Sequence, residues 1–198
     1  MRKLYVINHL TLDGVMQAPG RPEEDTRGGF GHGGWAAPGQ DEVMGERLGE
    51  GLAAGGPVLL GRRTYEDFAS FWPRQPSNPY TEVLNRSEKY VVSKTLAEPL
   101  PWQNSRLLAG EPAASVAALK AQRGKDICVM GSGVLVRTLL RHGLVDELLL
   151  MIHPLVLGTG RRLFDDSIGR LSMTLTDSIT TTTGVLLATY RPERGTSR

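Results

Sequence analysis

The segment from residue 126 to residue 143 constrains the fold of this chain more than any other. Residues 127–130 (Ile-Cys-Val-Met) are an unbroken apolar run, which is typical of a strand covered on both faces. A Gly-Ser-Gly turn at 131–133 ends the run, and apolar residues then recur at helical spacing until Gly143, a stop signal. This order predicts an α/β unit whose helix N-terminus presents backbone N–H groups to a phosphate. Taken alone, the glycines also fit an ordinary tight turn, because the third glycine of the dinucleotide fingerprint is absent.

The rest of the chain repeats this alternation of strand and helix. Strands are predicted at 3–10, 57–61, 89–93, 105–108 and 146–153, and helices at 41–54, from 62 onward, at 80–85 and at 112–122. The C-terminal part predicts two antiparallel strands, 171–177 and 184–190, around a threonine-rich turn. The order predicts an α/β domain over residues 1–198, with a mixed sheet and helices on both faces. Thr64 and Asp67 also predict a variant capping box.

Composition limits the classes of function that this chain can have. A net charge of +2, without a block of like charges, argues against binding of nucleic acid or of a membrane surface. No run approaches the roughly 20 apolar residues of a membrane helix, and no signal-peptide core is visible. The single cysteine, Cys128, excludes an internal disulfide and a multi-cysteine zinc site, and its apolar surroundings predict an inert thiol. We therefore expect a cytoplasmic protein with a small-molecule partner and no metal site.

A glycine-rich loop is predicted between the first strand and the first helix. Residues 17–39 contain many glycines and prolines, with Phe30 and Trp35 among them. Long loops of this kind in compact domains are often functional, so the aromatic residues favour a lid that covers a substrate. The alternative is a packed Ω-loop whose aromatic residues cap the core.

Polar and charged turns follow three of the predicted buried strands. They are Gly-Arg-Arg-Thr at 61–64, Ser-Lys-Thr at 93–95 and the glycine turn at 131–133. Each has an ordinary alternative: solvated arginines, a polar turn and a tight turn. Ligands of open α/β sheets bind outside the carboxyl ends of the strands. Together the three turns therefore favour a phosphate-rich dinucleotide, and the cations suit a 2′-phosphate.

The chain resembles a known family in five short motifs. They are Thr-Leu-Asp-Gly at 11–14, Gly-Arg-Arg-Thr-Tyr-Glu at 61–66, Val-Val-Ser-Lys-Thr-Leu at 91–96, Gly-Ser-Gly at 131–133, and His-Pro-Leu-Val-Leu-Gly at 153–158 with Arg-Leu-Phe at 162–164. In this order they resemble dihydrofolate reductase-like proteins related to the reductase domain of bacterial riboflavin biosynthesis. The resemblance covers nearly the whole chain. It implies a three-layer α/β/α fold, NADPH as the cofactor and often a homodimer.

The same resemblance assigns roles to residues. It implies that the turns 62–64 and 93–95 hold the 2′-phosphate side of the adenosine. It further implies that residues 131–135 hold the pyrophosphate, and that the loop after Asp13 approaches the nicotinamide. The implied cofactor-binding residues are Arg62, Arg63, Thr64, Ser93, Lys94, Thr95, Gly131, Ser132, Gly133, Val134 and Leu135.

Departures from the family leave the substrate open. Dihydrofolate reductases carry a carboxylate, on the helix after the lid, that grips the pterin ring. Asp41 and Glu42 lie near that region, and the sequence assigns neither of them to this role. Bifunctional riboflavin-pathway enzymes also carry a zinc deaminase domain, whose His-x-Glu and Pro-Cys-x-x-Cys pattern is absent here. Neither dihydrofolate nor a ribosylaminopyrimidine phosphate is therefore fixed as the substrate.

Few side chains are candidates for the chemistry itself. Asp13 is the best-placed carboxylate to donate a proton through water, and its alternative is a turn aspartate. Gly14, Trp35 and Tyr65 are the predicted substrate-binding residues, with core packing as the alternative for both aromatic rings. His9 and His153 are interpreted as structural.

These features together predict an NADPH-dependent reductase of a small heteroaromatic or carbonyl compound. Two other classes of function stay open. One is a nucleotide-binding protein that keeps the cofactor site but catalyses nothing. The other is an oligomeric scaffold that keeps only the fold.

Overall fold

The computed structural model of the protein describes residues 1–53 and 55–193. The strands are β1 (Leu4–Thr11), β2 (Val58–Gly61), β3 (Lys89–Val92), β4 (Ser105–Leu108), β5 (Ile127–Met130), β6 (Glu147–His153), β7 (Met173–Thr180) and β8 (Leu186–Pro192). The helices are α1 (Glu42–Ala53), α2 (Arg62–Phe71), α3 (Pro79–Arg86), α4 (Pro112–Ala121) and α5 (Gly133–Arg141). Every predicted strand and helix has its counterpart among these elements. Position 54, where the first helix was predicted to end, lies outside the described residues.

The strands form one sheet in the order β4-β3-β2-β5-β1-β6-β8-β7. Neighbouring strands from β4 to β6 are parallel, and β8 runs antiparallel to both β6 and β7. This confirms the predicted mixed, mostly parallel sheet with a C-terminal antiparallel pair. Because β3, β2 and β5 are neighbours, the turns that follow them start at the same edge of the sheet.

Helices cover both faces of the sheet and enclose two hydrophobic cores. On one face, Leu4 and Val6 of β1 belong to a core that includes buried residues of α4 and α5. On the other face, Ile7 of β1 and Leu60 of β2 belong to a core that includes residues of α1, α2 and α3. The apolar run of β5 is unbroken because its successive side chains enter the two cores in turn. The three-layer α/β/α arrangement is thereby confirmed.

The predicted capping box of Thr64 and Asp67 is wrong. No side chain caps α2, whose first turn follows Gly61 directly. The hydroxyl of Thr64 instead accepts a hydrogen bond from the backbone of Ser132, and Asp67 pairs with Arg21. Both side chains serve contacts with distant segments, which a local sequence pattern does not reveal.

A buried lysine closes the carboxyl end of α3. Lys89 is fully buried, and its Nζ donates to the carbonyl oxygens of Leu84 and Ser87 at 2.8 and 2.7 Å. The same Nζ lies 4.3 Å from the centre of the Trp102 ring. Burial lowers the pKa of Lys89 to about 8. The ammonium group thus satisfies carbonyl oxygens that the end of a helix leaves unpaired.

We expect Lys89→Met to lower the free energy of unfolding by roughly 1–3 kcal/mol, because buried carbonyl acceptors lose their donor. Denaturant unfolding monitored by circular dichroism measures this change. Lys125→Met, at an exposed position, is the matched control and should shift stability by less than about 0.5 kcal/mol. Equal losses in the two variants would contradict a specific role for Lys89.

Candidate active site

Three turns lie side by side at the carboxyl edge of the sheet. Oγ of Ser132 accepts a hydrogen bond from the N–H of Gly61 at 2.9 Å, and the N–H of Ser132 donates to Oγ1 of Thr64 at 3.2 Å. Val92, the last residue of β3, pairs with Gly61, so the turn 93–95 starts beside them. The structure therefore brings together the three turns that the sequence singled out.

The N-terminus of α5 is open. Gly131 and Ser132 have left-handed backbone conformations, with φ of 57° and 56°. A Cβ at Gly131 would lie 3.3 Å from Cγ2 of Thr64, so both the backbone angle and the space favour glycine. No side chain caps the helix, and Val134 in its first turn is 70% exposed. Such a helix start offers free N–H donors and a positive dipole end to an anion.

Cations are present in the neighbouring turns. Arg62 pairs with Glu66 at 3.1 Å, and Lys94 pairs with Glu111 at 3.4 Å. Exposed pairs of this kind contribute little stability, so either cation can change partner at small cost. Arg63 is exposed and has no ion pair with the residues that the structure describes. An anion at this edge would therefore meet one unpaired cation and two weakly paired ones.

The turn after β3 is held by its own serine. Oγ of Ser93 accepts hydrogen bonds from the N–H groups of Thr95 and Leu96, at 3.1 and 3.0 Å. These are the contacts of the polar-turn alternative. They also mean that the turn is formed without a ligand, with the side chain of Lys94 exposed.

The carboxylate of Asp13 is fully engaged with the protein. Oδ1 accepts hydrogen bonds from the hydroxyl of Thr11 at 2.6 Å and the N–H of Leu157 at 3.2 Å, and Oδ2 accepts from the N–H of Gly158 at 2.9 Å. Arg162 lies 3.4 Å from the same Oδ2. The hydrogen bond from Thr11, followed by those from the backbone, lowers the pKa of Asp13 to about 2. The group is thus ionised at neutral pH and holds a loop, which matches the turn alternative better than a proton donor.

The segment after Asp13 reaches the start of α5. Gly14 has a φ of 80°, and its N–H donates to the carbonyl oxygen of Thr11 at 2.9 Å. Two residues later, Sδ of Met16 lies against Gly133, where a Cβ would come within 2.4 Å of the sulfur. This segment therefore packs against the first residue of α5.

The glycine-rich loop is packed against the protein. Phe30 is 7% exposed and belongs to a small core with Val15 and Ala18. Nε1 of Trp35 donates to the carbonyl oxygen of Gln17 at 2.7 Å. These are the contacts of the Ω-loop alternative.

The same loop also spans the carboxyl edge of the sheet. Arg21 pairs with Asp67 of α2, and its guanidinium lies 3.9 Å from the centre of the Phe71 ring. At the other side, the Trp35 ring meets His153 of β6 edge-on, with centroids 5.2 Å apart. The loop can therefore exclude water from the edge even though it is packed.

Tyr65 differs from Trp35 in accessibility. It is 1% exposed, and its hydroxyl accepts a hydrogen bond from the N–H of Trp102 at 3.0 Å. The core-packing alternative therefore describes the position of Tyr65. Trp35 is only partly buried and lies against His153 at the end of β6.

Both carboxylate oxygens of Asp41 also accept hydrogen bonds from the protein. Its Oδ2 accepts hydrogen bonds from the N–H and the hydroxyl of Thr182 at 2.7 and 2.6 Å, and its Oδ1 accepts from the N–H of Met44 at 2.9 Å. The hydroxyl of Thr182 is the largest cause of the lowered pKa of this carboxyl group. Asp41 thus caps α1 and binds the β7–β8 turn, while Glu42 is exposed.

The sequence missed a pair of bonded histidines. Nδ1 of His9 lies 2.9 Å from Nε2 of His153, and the ring centroids are 5.1 Å apart. Burial, followed by the neighbouring ring, lowers the pKa of His9 to about 3, and burial also lowers that of His153. Both rings are therefore neutral at pH 7. The available signal was their position near the ends of two apolar segments, but sequence did not show that those strands are neighbours.

Two glycine-to-alanine substitutions, at positions 39 and 45, should have opposite effects on stability. A Cβ at Gly39 would lie 2.5 Å from Nδ1 of His153 and 2.9 Å from Cγ2 of Val185, so Gly39→Ala should cost roughly 1–3 kcal/mol of stability. Gly45 in α1 has open space around it, so Gly45→Ala should stabilise by roughly 0.5–1 kcal/mol. Thermal unfolding compares the two, and equal shifts would contradict the close contact at Gly39.

Two other kinds of feature are absent from the described residues. Among residues 1–53 and 55–193, no helix has the length and apolar character needed to cross a membrane. The same residues contain no group of three or more His, Cys, Asp or Glu side chains that could hold a metal ion.

The fold and the site define a three-layer α/β protein with an open helix N-terminus at the carboxyl edge of a mostly parallel sheet. The chain belongs to the family of the RibD C-terminal domain, whose model matches residues 2–187. This confirms the resemblance seen in the five motifs.

Several relatives are similar over most of this chain. The uncharacterized protein YyaP of Bacillus subtilis strain 168 is 32% identical over 139 residues, which are 67% of this chain and 72% of YyaP. A Shewanella sp. PV-4 protein named for riboflavin biosynthesis has a crystal structure with a TM-score of 0.71 at 23% identity, covering 97% of this chain and 99% of that one. A pyrimidine reductase-like protein of Corynebacterium diphtheriae has a TM-score of 0.64 at 16% identity, with 98% and 93% covered. Acinetobacter baumannii RibD has a TM-score of 0.62 at 16% identity, with 98% of this chain and 59% of RibD covered.

Proposed function

We propose that this protein is an NADPH-dependent reductase that transfers a hydride to a small aminopyrimidine- or pterin-like heteroaromatic or carbonyl substrate. The observation that carries the proposal is the meeting of three polar turns at the open N-terminus of α5, with the unpaired Arg63 in one of them. Membership in the RibD C-terminal domain family and the likeness to a pyrimidine reductase-like protein support a reductase.

The donors at this edge suit the groups of NADPH, which when bound would supply the hydride. In this proposal, the backbone N–H groups of residues 133–135 bind the pyrophosphate, because the helix start has no cap of its own. The 2′-phosphate is bound by the cations Arg62, Arg63 and Lys94, with the hydroxyl groups of Thr64, Ser93 and Thr95.

Other residues of the chain would position the reactants. Asp13 keeps the segment at Leu157 and Gly158 in place through its carboxylate, so we assign it a positioning role. Gly14 allows the backbone to turn beside it. Trp35 and its loop exclude water from the edge, which protects the hydride from side reactions.

The occupied carboxylate of Asp41 bears on the substrate. Dihydrofolate reductases grip the pterin ring with a free carboxylate. Within the described part of this chain, both oxygens of Asp41 are bonded to the protein, so Glu42, which is exposed, is the free carboxylate of the two. We propose a ribosylaminopyrimidine phosphate, reduced at the C=N or C=O carbon of its ring-opened sugar, ahead of dihydrofolate. The protein named for riboflavin biosynthesis and the pyrimidine reductase-like protein support this order.

A binding and turnover series tests the proposal. NADPH should raise the melting temperature more than NADH does, and absorbance at 340 nm should fall when a ribosylaminopyrimidine phosphate is added. Binding without oxidation by this compound, dihydrofolate or simple carbonyl compounds would favour a non-catalytic nucleotide-binding protein. No thermal shift with NADPH would favour an oligomeric scaffold.

We also propose a homodimer, as the family resemblance implies, and a location in the cytoplasm, as the single cysteine indicates. Light scattering after size-exclusion chromatography measures the assembly. A monomer at micromolar concentration would contradict the dimer.

A further inference from the structure

The bonded histidines lie at the same sheet edge as the proposed cofactor turns. His9 of β1 faces Met151 in the parallel register with β6, and His153 faces Thr11. The short contact between Nδ1 of His9 and Nε2 of His153 joins the two strands. Neither ring has another hydrogen-bond partner among the residues that the structure describes.

Direct contacts connect β1 with the glycine turn just before His9. The N–H of Gly131 donates to the carbonyl oxygen of Ile7 at 3.3 Å, and Nδ2 of Asn8 donates to the carbonyl oxygen of Gly131 at 3.3 Å. His9 therefore follows directly after two residues that touch the turn. The loop contacts one member of the pair, since the Trp35 ring meets His153 edge-on.

The carboxylates near this edge already have hydrogen-bond or ion-pair partners. Asp13 and Asp41 are bonded through both oxygens. Asp67 of α2 pairs with Arg21 through Oδ1, and its Oδ2 is buried without a hydrogen-bond partner among the described residues. The histidine pair is different, because it joins a proton donor directly to a proton acceptor. His153 is buried and His9 is half-buried, and within the described residues the two rings bond only each other, so each ring keeps one nitrogen free to exchange a proton.

We propose that the His9–His153 pair delivers the proton that reduction of a C=N or C=O bond of the substrate requires. This inference rests on the proposed function. In it, His9 contacts the substrate atom that accepts the proton, and His153 acts through His9.

The proton transfer balances without a buried charge. When the C=N or C=O carbon has accepted a hydride, its π bond breaks and the nitrogen or oxygen holds the electron pair. That atom takes the proton from Nε2 of His9, Nδ1 of His9 takes the proton from Nε2 of His153, and Nδ1 of His153 takes one from water. The product is an amine or an alcohol, both rings end neutral, and the hydroxide that remains is neutralised by buffer. The pair thus moves between its two tautomeric arrangements.

Nitrogen-15 NMR of the full chain tests the pair directly. The chain has only four histidines, His9, His32, His142 and His153, so the imidazole signals can be assigned by substitution. We expect an N–H···N scalar coupling between His9 Nδ1 and His153 Nε2, and no such coupling for the other two rings. Absence of this coupling in the wild-type protein would overturn the relay whatever the catalytic result.

Single-turnover oxidation of NADPH by a ribosylaminopyrimidine phosphate tests the role in catalysis. His9→Gln and His153→Gln should each slow the step roughly 100-fold or more at saturating substrate, with the NADPH dissociation constant within about threefold of wild type. Glutamine keeps a donor at position 153 but cannot pass a proton along. Recovery of the wild-type rate in His153→Gln would therefore show a merely structural role.

The results of these experiments distinguish a failure of the histidine relay from a failure of the proposed reductase function. His142→Gln, at the C-terminal end of α5, is the control and should keep the wild-type rate. Oxidation of NADPH by His9→Gln at the wild-type rate would overturn the relay but would not contradict the proposed reductase function. Coupled histidines in a protein that oxidises no NADPH would overturn the reductase and the catalytic role of the pair together.

Discussion

A Val134→Asp variant should lose NADPH binding while it folds at least as stably as the wild-type protein. Val134 is 70% exposed in the first turn of α5, where a carboxylate favours the helix by about 0.3–1 kcal/mol. The same carboxylate would repel a pyrophosphate held by the neighbouring N–H groups. Like charges about 5 Å apart at an effective dielectric constant of about 20 repel by roughly 3 kcal/mol, which is on the order of a 100-fold loss of affinity.

This test is specific because the aspartate should maintain or raise the stability of the protein while it lowers the affinity for NADPH. Isothermal titration calorimetry gives the dissociation constant for NADPH, and thermal unfolding of the apo protein gives the stability. Val134→Asn, which has a similar size but no charge, is the matched control and should bind within a few-fold of wild type. An aspartate variant that binds NADPH as tightly as the asparagine variant would place the phosphates elsewhere.

Removal of the side-chain charges of Arg62 and Lys94 should reduce the preference of the protein for NADPH over NADH. Arg62→Ala combined with Lys94→Ala removes two positive charges and also frees Glu66 and Glu111, their present partners. The freed carboxylates would add repulsion at the place proposed for the 2′-phosphate. We expect NADPH affinity to fall by at least about 100-fold, since bonds between cations and phosphate contribute about 1.5–3 kcal/mol each. NADH affinity should change by less than about threefold, because it has no 2′-phosphate.

The control for this pair is a cation of the same kind at another place. Arg106 of β4 is exposed and pairs with Glu88 at 3.4 Å, so Arg106→Ala removes a comparable surface pair away from the three turns. It should leave both affinities unchanged. Equal losses of NADPH and NADH in the double variant would contradict the assignment of Arg62 and Lys94 to the 2′-phosphate.

The fold was predictable because its signals are local. The unbroken apolar run of β5 reflects a strand whose side chains enter two cores, and Gly143 ends α5 as its position in the sequence predicted. The order of strands in the sheet could not be predicted from local signals, because it depends on contacts between distant segments. Sequence predicted that three turns share an edge by a general rule of α/β sheets, and the adjacency of β3, β2 and β5 is what brings them together.

Single side chains at the site were harder to predict, because their partners are distant in sequence. Asp13 looked available as an acid, but its acceptors are used by the backbone at Leu157 and Gly158. His9 and His153 looked like separate core residues, yet the parallel register of β1 and β6 places them in hydrogen-bond contact. In both cases the chemistry of the group is set by a neighbour more than 140 positions away.

Amide chemical-shift mapping with NADPH tests the central claim most directly. In a titration of the nitrogen-15-labelled protein, the largest shifts should fall on the backbone N–H groups of residues 62–64, 93–95 and 131–135. Titration with NADH should reproduce the shifts at 131–135 and reduce those at 62–64 and 93–95. Shifts that cluster on another face of the sheet, or no shifts at millimolar NADPH, would contradict the account.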